Sequence, residues 1–497
     1  MMRHLNFSTD VIEEAKAISS HIEKQEINKR DDFRKILTFT IDPAQAKDFD
    51  DALSFRVLED GKYEVGVHIA DVTHYVKPKT RIDKEAYRRG TSVYFVDRVV
   101  PMLPEKLCND VCSLMPNQDR LCMSVVFVVD DFGQVYEHRI CRTVIHSDYR
   151  FNYEQVQEIL DKTAQMNARV DDAILKLHHI AQIWRKERED KGALNFVTNE
   201  VSFRLSPTNE PLEIIINQPT TSHQLVEEWM LMANKTVAET IENKGRKNHL
   251  PFVYRIHEMP TDERQESLKK IVKQFGYKFK PAQKKDIICH NLNQLFEDCK
   301  DKEDHAIIEK LILKTMAKAR YSTKNIGHYG LLFASYTHFT SPIRRYPDMM
   351  VHRLLEKYLF HSTQHSHEKA WKMTTKTLEK YCFHCSEQEQ VAMDAERKSI
   401  KNMYAKYYEN KIGTVVQGVI SGMKDFGIFV DFNATHAEGL ISIRLLNEGL
   451  TEYIFDEEEC CMRDAKNGKI KYVLGQEMTV KIKSVTPEKG WIDLELA

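Results

Sequence analysis

Four aspartates within ten residues constrain this chain more than any other feature of its sequence. Asp42, Asp48, Asp50 and Asp51 lie in TIDPAQAKDFDDALSF, residues 40–55, between two runs of β-branched and aromatic residues. Clustered carboxylates repel one another and resist ionising together, a cost that a hard divalent cation removes. The segment contains no Cys or His, so carboxylates and waters are the available ligands, which suits magnesium or manganese. It therefore predicts an interstrand loop that holds Mg²⁺, with Mn²⁺ able to replace it.

A hairpin follows the acidic segment. Residues 59–61 (Glu-Asp-Gly) are a turn signal, and residues 63–72 alternate back as a second strand. A two-residue turn at Asp-Gly would place Asp71 opposite Asp50, with His68 nearby. We therefore expect Asp71 and His68 beside the acidic cluster.

Other interpretations of the acidic segment exist. Aspartates that cap a solvated turn would give a similar cluster. An EF-hand would use Asp48, Asp50 and Glu59, but Leu53 stands where that loop needs glycine. Nucleases of the DEDD class would show a D-x-E pair on their first strand, and the acidic segment has none.

A basic segment lies far along the chain in YTHFTSPIRRYPDMMVHRLL, residues 336–355. Arg344 and Arg345 carry planar guanidinium groups that match phosphate oxygens in a bidentate way and stay charged at any relevant pH. Thr340 and Ser341 can add hydroxyl donors. An arginine pair can equally bind a helix C-terminus or surface carboxylates, so the segment alone leaves both uses open.

Local charge separates these two segments although the whole chain has a net charge of only −2. Residues 37–60 carry six acidic and two basic side chains, a net charge of −4. Residues 311–360 carry eight basic and two acidic side chains, a net charge of +6. A site that binds both metal and phosphate needs this combination.

Composition sets broader limits. Hydrophobic residues form 42% and charged residues 29% of 497 residues, which is typical of a globular chain with two or three domains. No apolar run approaches the roughly 20 residues of a membrane helix, and no signal-peptide core is present, so we expect a cytoplasmic protein without membrane contact. Its ten cysteines are then expected to be reduced thiols.

The pattern along the chain divides it into three parts. Residues 1–35 are a helical lead-in, residues 36–408 alternate strands and helices, and residues 411–497 hold five short strands, which suggests a closed barrel of the OB type. Helices are predicted over 9–30, 154–165, 169–190, 221–242, 262–276, 304–324, 347–360 and 367–408.

Taken together, these segments resemble the ribonuclease II and ribonuclease R family, and ribonuclease R more closely. The resemblance covers residues 9–497 and includes TIDPAQAKDFDDALSF, HIADVTHYV, GTSVYFVDRVVPMLPEKLCNDVCSL, SHQLVEEWMLMAN, VYRIHEMP, GHYGLLFASYTHFTSPIRRYPDMMVHR and AMDAERK. It implies an α+β fold: an RNB catalytic domain, a mixed sheet surrounded by helices, followed by an S1-type OB β-barrel. The cold-shock domains that usually precede the RNB domain are not expected here.

The resemblance also implies an activity. Family members are exoribonucleases that hydrolyse single-stranded RNA from its 3′ end and release 5′-mononucleotides by a two-magnesium mechanism. We expect the same of this chain, acting as a monomer. Two other classes stay open: an RNA-binding protein on an inactive nuclease scaffold, and a nuclease that acts equally on DNA.

Site residues follow from motif positions in the family. The resemblance makes Asp42, Asp48, Asp50 and Asp51 the metal ligands, Asp50 and Arg344 the catalytic residues, and Arg345 a further RNA contact. Tyr153 matches a tyrosine that stacks near the 3′ end and sets the length of the final product. Glu228, or its neighbour Glu227, matches a position associated with ribose recognition, and Glu396 lies near the active end.

Phe426 and Phe429 occupy the usual base-stacking positions of an S1 domain. A stacked base contributes roughly 1–3 kcal/mol to binding. Two residues three apart point to opposite faces of a regular strand, so one of these rings could instead belong to the core.

Overall fold

The computed structural model describes residues 6–497 apart from 195–198, 249, 301, 303, 361–372, 448–450 and 458. The strands are β1 (Asp31–Asp32), β2 (Thr38–Asp42), β3 (Asp51–Val57), β4 (Tyr63–Ala70), β5 (Val93–Tyr94), β6 (Val99–Val100), β7 (Asp119–Val129), β8 (Val135–His146), β9 (Tyr149–Asn152), β10 (Glu200–Leu205), β11 (Pro211–Asn217), β12 (Tyr254–Ile256), β13 (Arg320–Ser322), β14 (Val415–Lys424), β15 (Gly427–Phe432), β16 (Glu438–Ser442), β17 (Tyr453–Asp456), β18 (Cys461–Asp464), β19 (Ile470–Val473), β20 (Glu477–Thr486) and β21 (Trp491–Leu496). The helices are α1 (Thr9–Lys16), α2 (Lys24–Ile27), α3 (Val72–Tyr75), α4 (Arg81–Arg89), α5 (Tyr153–Leu160), α6 (Ala168–Asp190), α7 (Thr221–Asn248), α8 (Asp262–Gln274), α9 (Lys285–Cys299), α10 (His305–Thr315), α11 (Tyr346–Leu355), α12 (Thr375–Glu409) and α13 (Ile443–Leu446).

A mixed seven-stranded sheet forms the centre of the larger part of the chain, in the order β1-β8-β7-β4-β3-β2-β9. The two outer pairs, β1 with β8 and β2 with β9, are parallel, and the inner pairs are antiparallel. Every residue of β4 is buried, because the strand is central and both its faces are covered. Trp229 of α7 is fully buried against this sheet, its ring 6.1 Å from that of Phe127 and 4.6 Å from that of Trp184.

The predicted register of the first hairpin is wrong by one residue. Val57 and Tyr63 form the last pair, so residues 58–62 make a longer turn than the predicted one, and Asp51 pairs with Ile69. The backbone of Asp50 therefore meets Ala70, whose N–H donates to the Asp50 carbonyl at 2.9 Å, and not Asp71. A shift of one residue moves each side chain to the other face of a strand.

Neither Asp71 nor His68 belongs to the acidic cluster, contrary to the sequence-based expectation. The Asp71 carboxylate is buried and binds the Arg30 guanidinium at 2.7 Å. The His68 ring is fully buried between Ser54 and Ser124, which it contacts at 2.8 Å each. Both side chains therefore stabilise the sheet.

Several predicted helices differ in extent. The lead-in holds two short helices, α1 and α2, and not one continuous helix over 9–30. The helix predicted over 304–324 ends at Thr315, because Arg320–Ser322 pairs with β12 as a strand. The helix predicted from residue 367 begins at Thr375, and residues 367–372 lie outside the described part of the chain.

The five-strand tail forms the expected closed barrel, in the order β14-β15-β16-β21-β20. A three-stranded sheet, β17-β18-β19, is inserted between β16 and β20 and was not predicted from the sequence.

The end of α12 fixes the barrel to the rest of the chain. The Tyr404 hydroxyl donates to the Thr435 carbonyl at 2.8 Å, and the Tyr408 ring meets Phe432 edge-on at 5.3 Å.

Within the described residues, no helix combines the length and the apolar character needed to cross a bilayer. All ten cysteines are free thiols, and eight of them are buried.

The Arg30–Asp71 pair generates a prediction about folding. Replacing Arg30 by methionine leaves the Asp71 carboxylate buried without its counter-ion, a change that costs about 3–5 kcal/mol of unfolding free energy. The exposed Arg34, which binds Asp32 and Asp119, is the matched control, and Arg34→Met should cost less than about 1 kcal/mol. Urea unfolding of both variants measures the difference. Equal losses would contradict a stabilising role for the Arg30–Asp71 pair.

Candidate active site

The acidic residues meet at the ends of two adjacent strands. Asp42 is the last residue of β2 and Asp51 the first of β3, while Asp48 and Asp50 lie in the loop between them. Phe49 stands between the two loop aspartates and is buried, which holds them at the surface of the core.

Two contacts fix this loop. The Phe49 N–H donates to the Ser113 hydroxyl at 3.0 Å. The Arg150 guanidinium on β9 donates to the carbonyls of Pro43 and Ala44, at 2.9 and 2.7 Å. The loop is therefore attached to β9 near its start and to the segment before β7 near its end.

Burial dominates the electrostatics of the cluster. It raises the pKa of Asp42 to about 8, with a further contribution from the Asp51 carboxylate, and raises the pKa of Asp51 to about 6. Burial also raises the pKa of Asp48, and raises that of Asp50 well above its usual range. The Arg344 guanidinium opposes the shift at Asp48, Asp50 and Asp51 but does not cancel it.

Two carboxylate oxygens of the cluster are buried without a hydrogen bond from any described residue. They are Oδ2 of Asp42 and Oδ2 of Asp50. A buried acceptor without a partner is costly, and four carboxylates with two such oxygens match the oxygen ligands that Mg²⁺ and Mn²⁺ prefer. The residues at this site therefore fit a divalent cation, which Asp42, Asp48, Asp50 and Asp51 would hold.

The basic loop reaches the same place. Ile343 donates its backbone N–H to Oδ1 of Asp50 at 2.8 Å, and Nε of Arg344 lies 3.6 Å from Oδ2 of Asp50. The Arg344 side chain remains 43% exposed, so its guanidinium can still reach a ligand. The structure thus brings together the two segments that the sequence singled out.

Arg345 pairs with Asp348 and not with a carboxylate of the cluster, although its charge also opposes the rise that burial causes in the pKa of Asp51. Its guanidinium donates to Oδ1 of Asp348 at 2.7 Å, and only 18% of its side chain is exposed. Thr340, proposed as a hydroxyl donor, is buried and contacts Asn234 at 3.3 Å.

Two tyrosines border the site. The Tyr153 ring stacks on His223, with centroids 3.8 Å apart and planes 11° apart, and the Asp42 and Asp51 carboxylates contribute to the raised pKa of its hydroxyl. Tyr94 was not singled out by its sequence, although it lies in the quoted stretch GTSVYFVDRVV. Tyr94 is 40% exposed, and its side chain partly offsets the rise that burial causes in the pKa of Asp48.

The glutamates expected near the site differ in their surroundings. Glu228 is 3% exposed and forms ion pairs with Arg188 and Arg185 between α6 and α7. Its neighbour Glu227 shares Arg185 at 3.2 Å and keeps 54% of its side chain exposed. Glu396 on α12 accepts the Tyr94 N–H at 2.9 Å and so lies next to the site.

Phe426 and Phe429 do not point to opposite faces of a strand, because Phe426 precedes β15 and sits in the hairpin turn. Their rings meet edge-to-face with centroids 5.8 Å apart. Phe426 is 51% exposed, and Phe429 lines a cavity of about 520 Å³ between the barrel and α8 and α10.

Comparison with known proteins agrees with this arrangement. The RNB domain model matches residues 30–361, and the model of the S1 RNA binding domain matches residues 409–497. Ribonuclease R of Thermotoga maritima is 38% identical over 493 residues, which cover 99% of this chain and 68% of that protein. The chain belongs to the RNB family of ribonuclease R. It is an RNB-type exoribonuclease with a C-terminal S1 domain.

Solved structures show the same fold. Ribonuclease R of Mycoplasma genitalium, in complex with ribose-methylated single-stranded RNA, superposes with a TM-score of 0.91 at 28% identity, over 99% of this chain and 76% of that one. Yeast Ssd1, described as a pseudonuclease, superposes with a TM-score of 0.69 at 21% identity, over 89% of this chain and 54% of that one. The second likeness concerns the fold alone.

The raised pKa values predict how cation binding depends on pH. A protonated carboxyl cannot coordinate a metal, so Mn²⁺ affinity should rise as pH increases from about 6 to about 8, the pKa values of Asp51 and Asp42. Each displaced proton adds about tenfold per pH unit below its pKa. Titration calorimetry with Mn²⁺ measures this dependence. Asp42→Asn should remove the rise in Mn²⁺ affinity between pH 6 and pH 8. Asp60→Asn, at the exposed hairpin turn, should leave the pH dependence of the affinity unchanged.

A Mn²⁺ affinity that stays constant between pH 6 and pH 8 would contradict coordination by Asp42, and one that stays constant below pH 6 would contradict coordination by Asp51.

Proposed function

We propose that this enzyme removes nucleotides one at a time from the 3′ end of single-stranded RNA and releases 5′-monophosphates. We propose two Mg²⁺ ions as its cofactors, replaceable by Mn²⁺. One observation carries the proposal: four carboxylates, one buried and three partly buried, lie against a partly exposed arginine, and two of them have a buried oxygen without a hydrogen bond from any described residue. Anionic ligands for a cation and a cationic group for a phosphate are the two requirements of phosphodiester hydrolysis.

The chain's own residues have distinct tasks in this reaction. Bound magnesium would stabilise the attacking and leaving oxygens of an in-line displacement. Arg344 holds its guanidinium over Asp50 with its outer side exposed, so it can offset charge that develops on the phosphoryl oxygens. The Ile343 N–H orients the Asp50 carboxylate and leaves its second oxygen available.

Aromatic rings next to the cluster support recognition of a nucleotide at the RNA end. Tyr153 already stacks on His223, so a base could use only the other face of its ring. Tyr94 is more exposed and lies near enough to Asp48 to lower the pKa of that carboxyl, so it would stand beside the phosphate that is cleaved. We propose that these two tyrosines hold the terminal nucleotides.

The barrel supports capture of RNA. Phe426 presents an exposed ring, and Phe429 stands next to it at the mouth of a cavity that Lys314 and Lys424 also line. Stacking and nearby cations are the usual means of binding single strands. The ribonuclease R whose structure resembles this chain was solved with single-stranded RNA, which favours the same ligand here.

The ten free thiols fit a reducing compartment, and we propose a cytoplasmic location on that basis.

The retained carboxylates favour an active enzyme over an RNA-binding protein on an inactive scaffold. Asp50→Asn removes a ligand charge with little change of volume and should lower the cleavage rate more than about a thousandfold, which corresponds to roughly 4 kcal/mol. RNA binding should stay nearly intact. Asp60→Asn, whose side chain is 54% exposed, should behave as wild type.

RNA labelled at its 5′ end, the same RNA labelled at its 3′ end and an equivalent DNA, each with and without magnesium, provide the measurement. Immediate release of a labelled mononucleotide from the 3′-labelled RNA alone supports the proposed direction and substrate. A wild-type protein without this release, or an Asp50→Asn variant with a tenth of wild-type activity, would refute the proposal.

The tyrosines generate a separate prediction. Tyr153→Ala and Tyr94→Ala should each change the length of the smallest fragment left after digestion, because a lost stacking contact of roughly 1–3 kcal/mol lets a short product leave earlier. Tyr136→Ala, an exposed tyrosine on β8, is the control. Gel analysis of exhausted digests gives the lengths. An unchanged end product for Tyr153→Ala would mean that this ring only supports His223.

A further inference from the structure

The loop that carries Arg344 is held by buried polar side chains from two helices. Asn234 of α7 accepts the Phe339 N–H at 2.7 Å, and His352 of α11 contacts the Phe339 carbonyl at 2.8 Å. Asp348 of α11 accepts the Ser341 N–H at 2.8 Å. All three side chains are 3% exposed or less, so solvent does not compete for these bonds.

Asp348 is the charged member of this set and is fully buried. Its Oδ1 accepts both the Ser341 N–H and the Arg345 guanidinium, the latter at 2.7 Å, while its Oδ2 has no hydrogen-bond partner among the described residues. A buried carboxylate is retained at high cost unless it is paired. Arg345 supplies that pairing through one nitrogen of the guanidinium that the sequence assigned to RNA, and its Nε is buried without a hydrogen bond from any described residue.

Ser341 passes this restraint on to the active site. Its hydroxyl accepts from the Arg344 guanidinium at 3.0 Å, and its carbonyl accepts the backbone N–H of Arg345 at 2.9 Å. Two residues after Ser341, Ile343 donates to Asp50. Ser341 therefore helps to set both the direction of the Arg344 side chain and the amide that orients Asp50, while the Ser92 N–H holds the Arg344 carbonyl at 2.9 Å.

We propose that Asp348 is a positioning residue, which places the Ser341–Arg344 turn against the acidic cluster, and that Arg345 acts as its counter-ion and not as an RNA contact. The inference rests on the proposed function for its catalytic consequence. Its geometric part concerns the loop alone and can be tested without substrate.

A second buried pair, which joins α11 to α4, provides a matched control. Arg353 of α11 binds Asp83 of α4 at 2.7 Å, the same distance as the Arg345–Asp348 pair, and both carboxylates are buried. Asp83 also accepts from the Tyr346 hydroxyl and from the Lys79 N–H, so its hydrogen bonds among the described residues lie outside the acidic cluster. Asp83→Asn and Asp348→Asn therefore remove the same charge from the same kind of pair.

The experiment measures rate, affinity and loop exchange for both variants. Asp348→Asn should lower the single-turnover rate at saturating RNA by about tenfold to a hundredfold, as expected for a misplaced catalytic group, while RNA affinity without metal stays close to wild type. Asp83→Asn should lower thermal stability only. Hydrogen exchange of the 337–345 peptide should accelerate in Asp348→Asn and not in Asp83→Asn.

Two further variants separate the routes of action. Asp348→Asn should add little to the loss caused by Arg344→Ala, because residues that act as a unit are not additive. Arg345→Lys keeps the counter-ion and should retain both rate and affinity within a few-fold; a selective loss of affinity would instead make Arg345 an RNA contact. If Asp348→Asn does not fold, Ser341→Ala tests the same turn by removing the acceptor for Arg344.

The inference would be overturned if the Asp348 and Asp83 variants had equal single-turnover rates and equal hydrogen exchange in the 337–345 peptide. It would also be overturned if the losses of rate caused by Asp348→Asn and Arg344→Ala were additive. The two proposals can fail separately. If the wild-type protein is inactive but hydrogen exchange of the 337–345 peptide still accelerates only in Asp348→Asn, the proposed function is refuted and the positioning of the loop by Asp348 is supported.

Discussion

The enclosure of four carboxylates in one place, with Asp50 buried and the other three partly buried, is the constraint on which the rest of this structure depends. Water would stabilise these charges, and the fold removes it: Asp50 is 4% exposed, and burial raises the pKa of every member of the cluster. Such a group persists only when surrounding elements hold it firmly. Here β2 and β3 fix its two ends, Phe49 fixes the loop between them, and the loop before α11 closes it from the other side.

The site therefore has two kinds of residue with different requirements. Arg344 must stay accessible and the aspartates of the cluster must leave oxygens free for a cation, whereas Asp348 must be fully buried, because a carboxylate in water would not hold the turn. The same chemical group serves both purposes, and its surroundings decide which. The pseudonuclease with this fold shows why the distinction matters: an RNB fold alone does not specify catalysis, and the chemistry depends on a few side chains and on what holds them.

Much of this arrangement could be predicted from the sequence, and the exceptions have physical causes. The acidic and basic motifs are local patterns of charge, so they identified the site, and the alternation of the tail identified the barrel. Asp71 was misplaced because the length of the turn was misjudged. Five residues separate β3 from β4, but the Asp60-Gly61 pair looks like a two-residue turn, and the length of the turn sets the register of the hairpin. Nothing local to Arg30 shows that it is the partner of Asp71, 41 residues away.

Contacts between residues distant in sequence also explain why the role of Arg345 was mispredicted and why Tyr94 was missed. The two adjacent arginines look equivalent in sequence, but a helix that starts at Tyr346 turns one toward Asp348 and leaves the other over Asp50. Tyr94 looks like an ordinary strand residue until α12, some 300 residues later, supplies Glu396 to bind its backbone. Contacts that distant leave no periodic signal in a single sequence.

The bond between Ile343 and Asp50 joins residues 293 positions apart. The ribosome therefore makes the acidic half of this site long before the arginine that completes it. A nascent chain that ends before residue 344 has the carboxylates but lacks Arg344 and the turn that orients Asp50. Until that residue is added, a growing chain tethered to its own messenger RNA cannot carry a complete nuclease site.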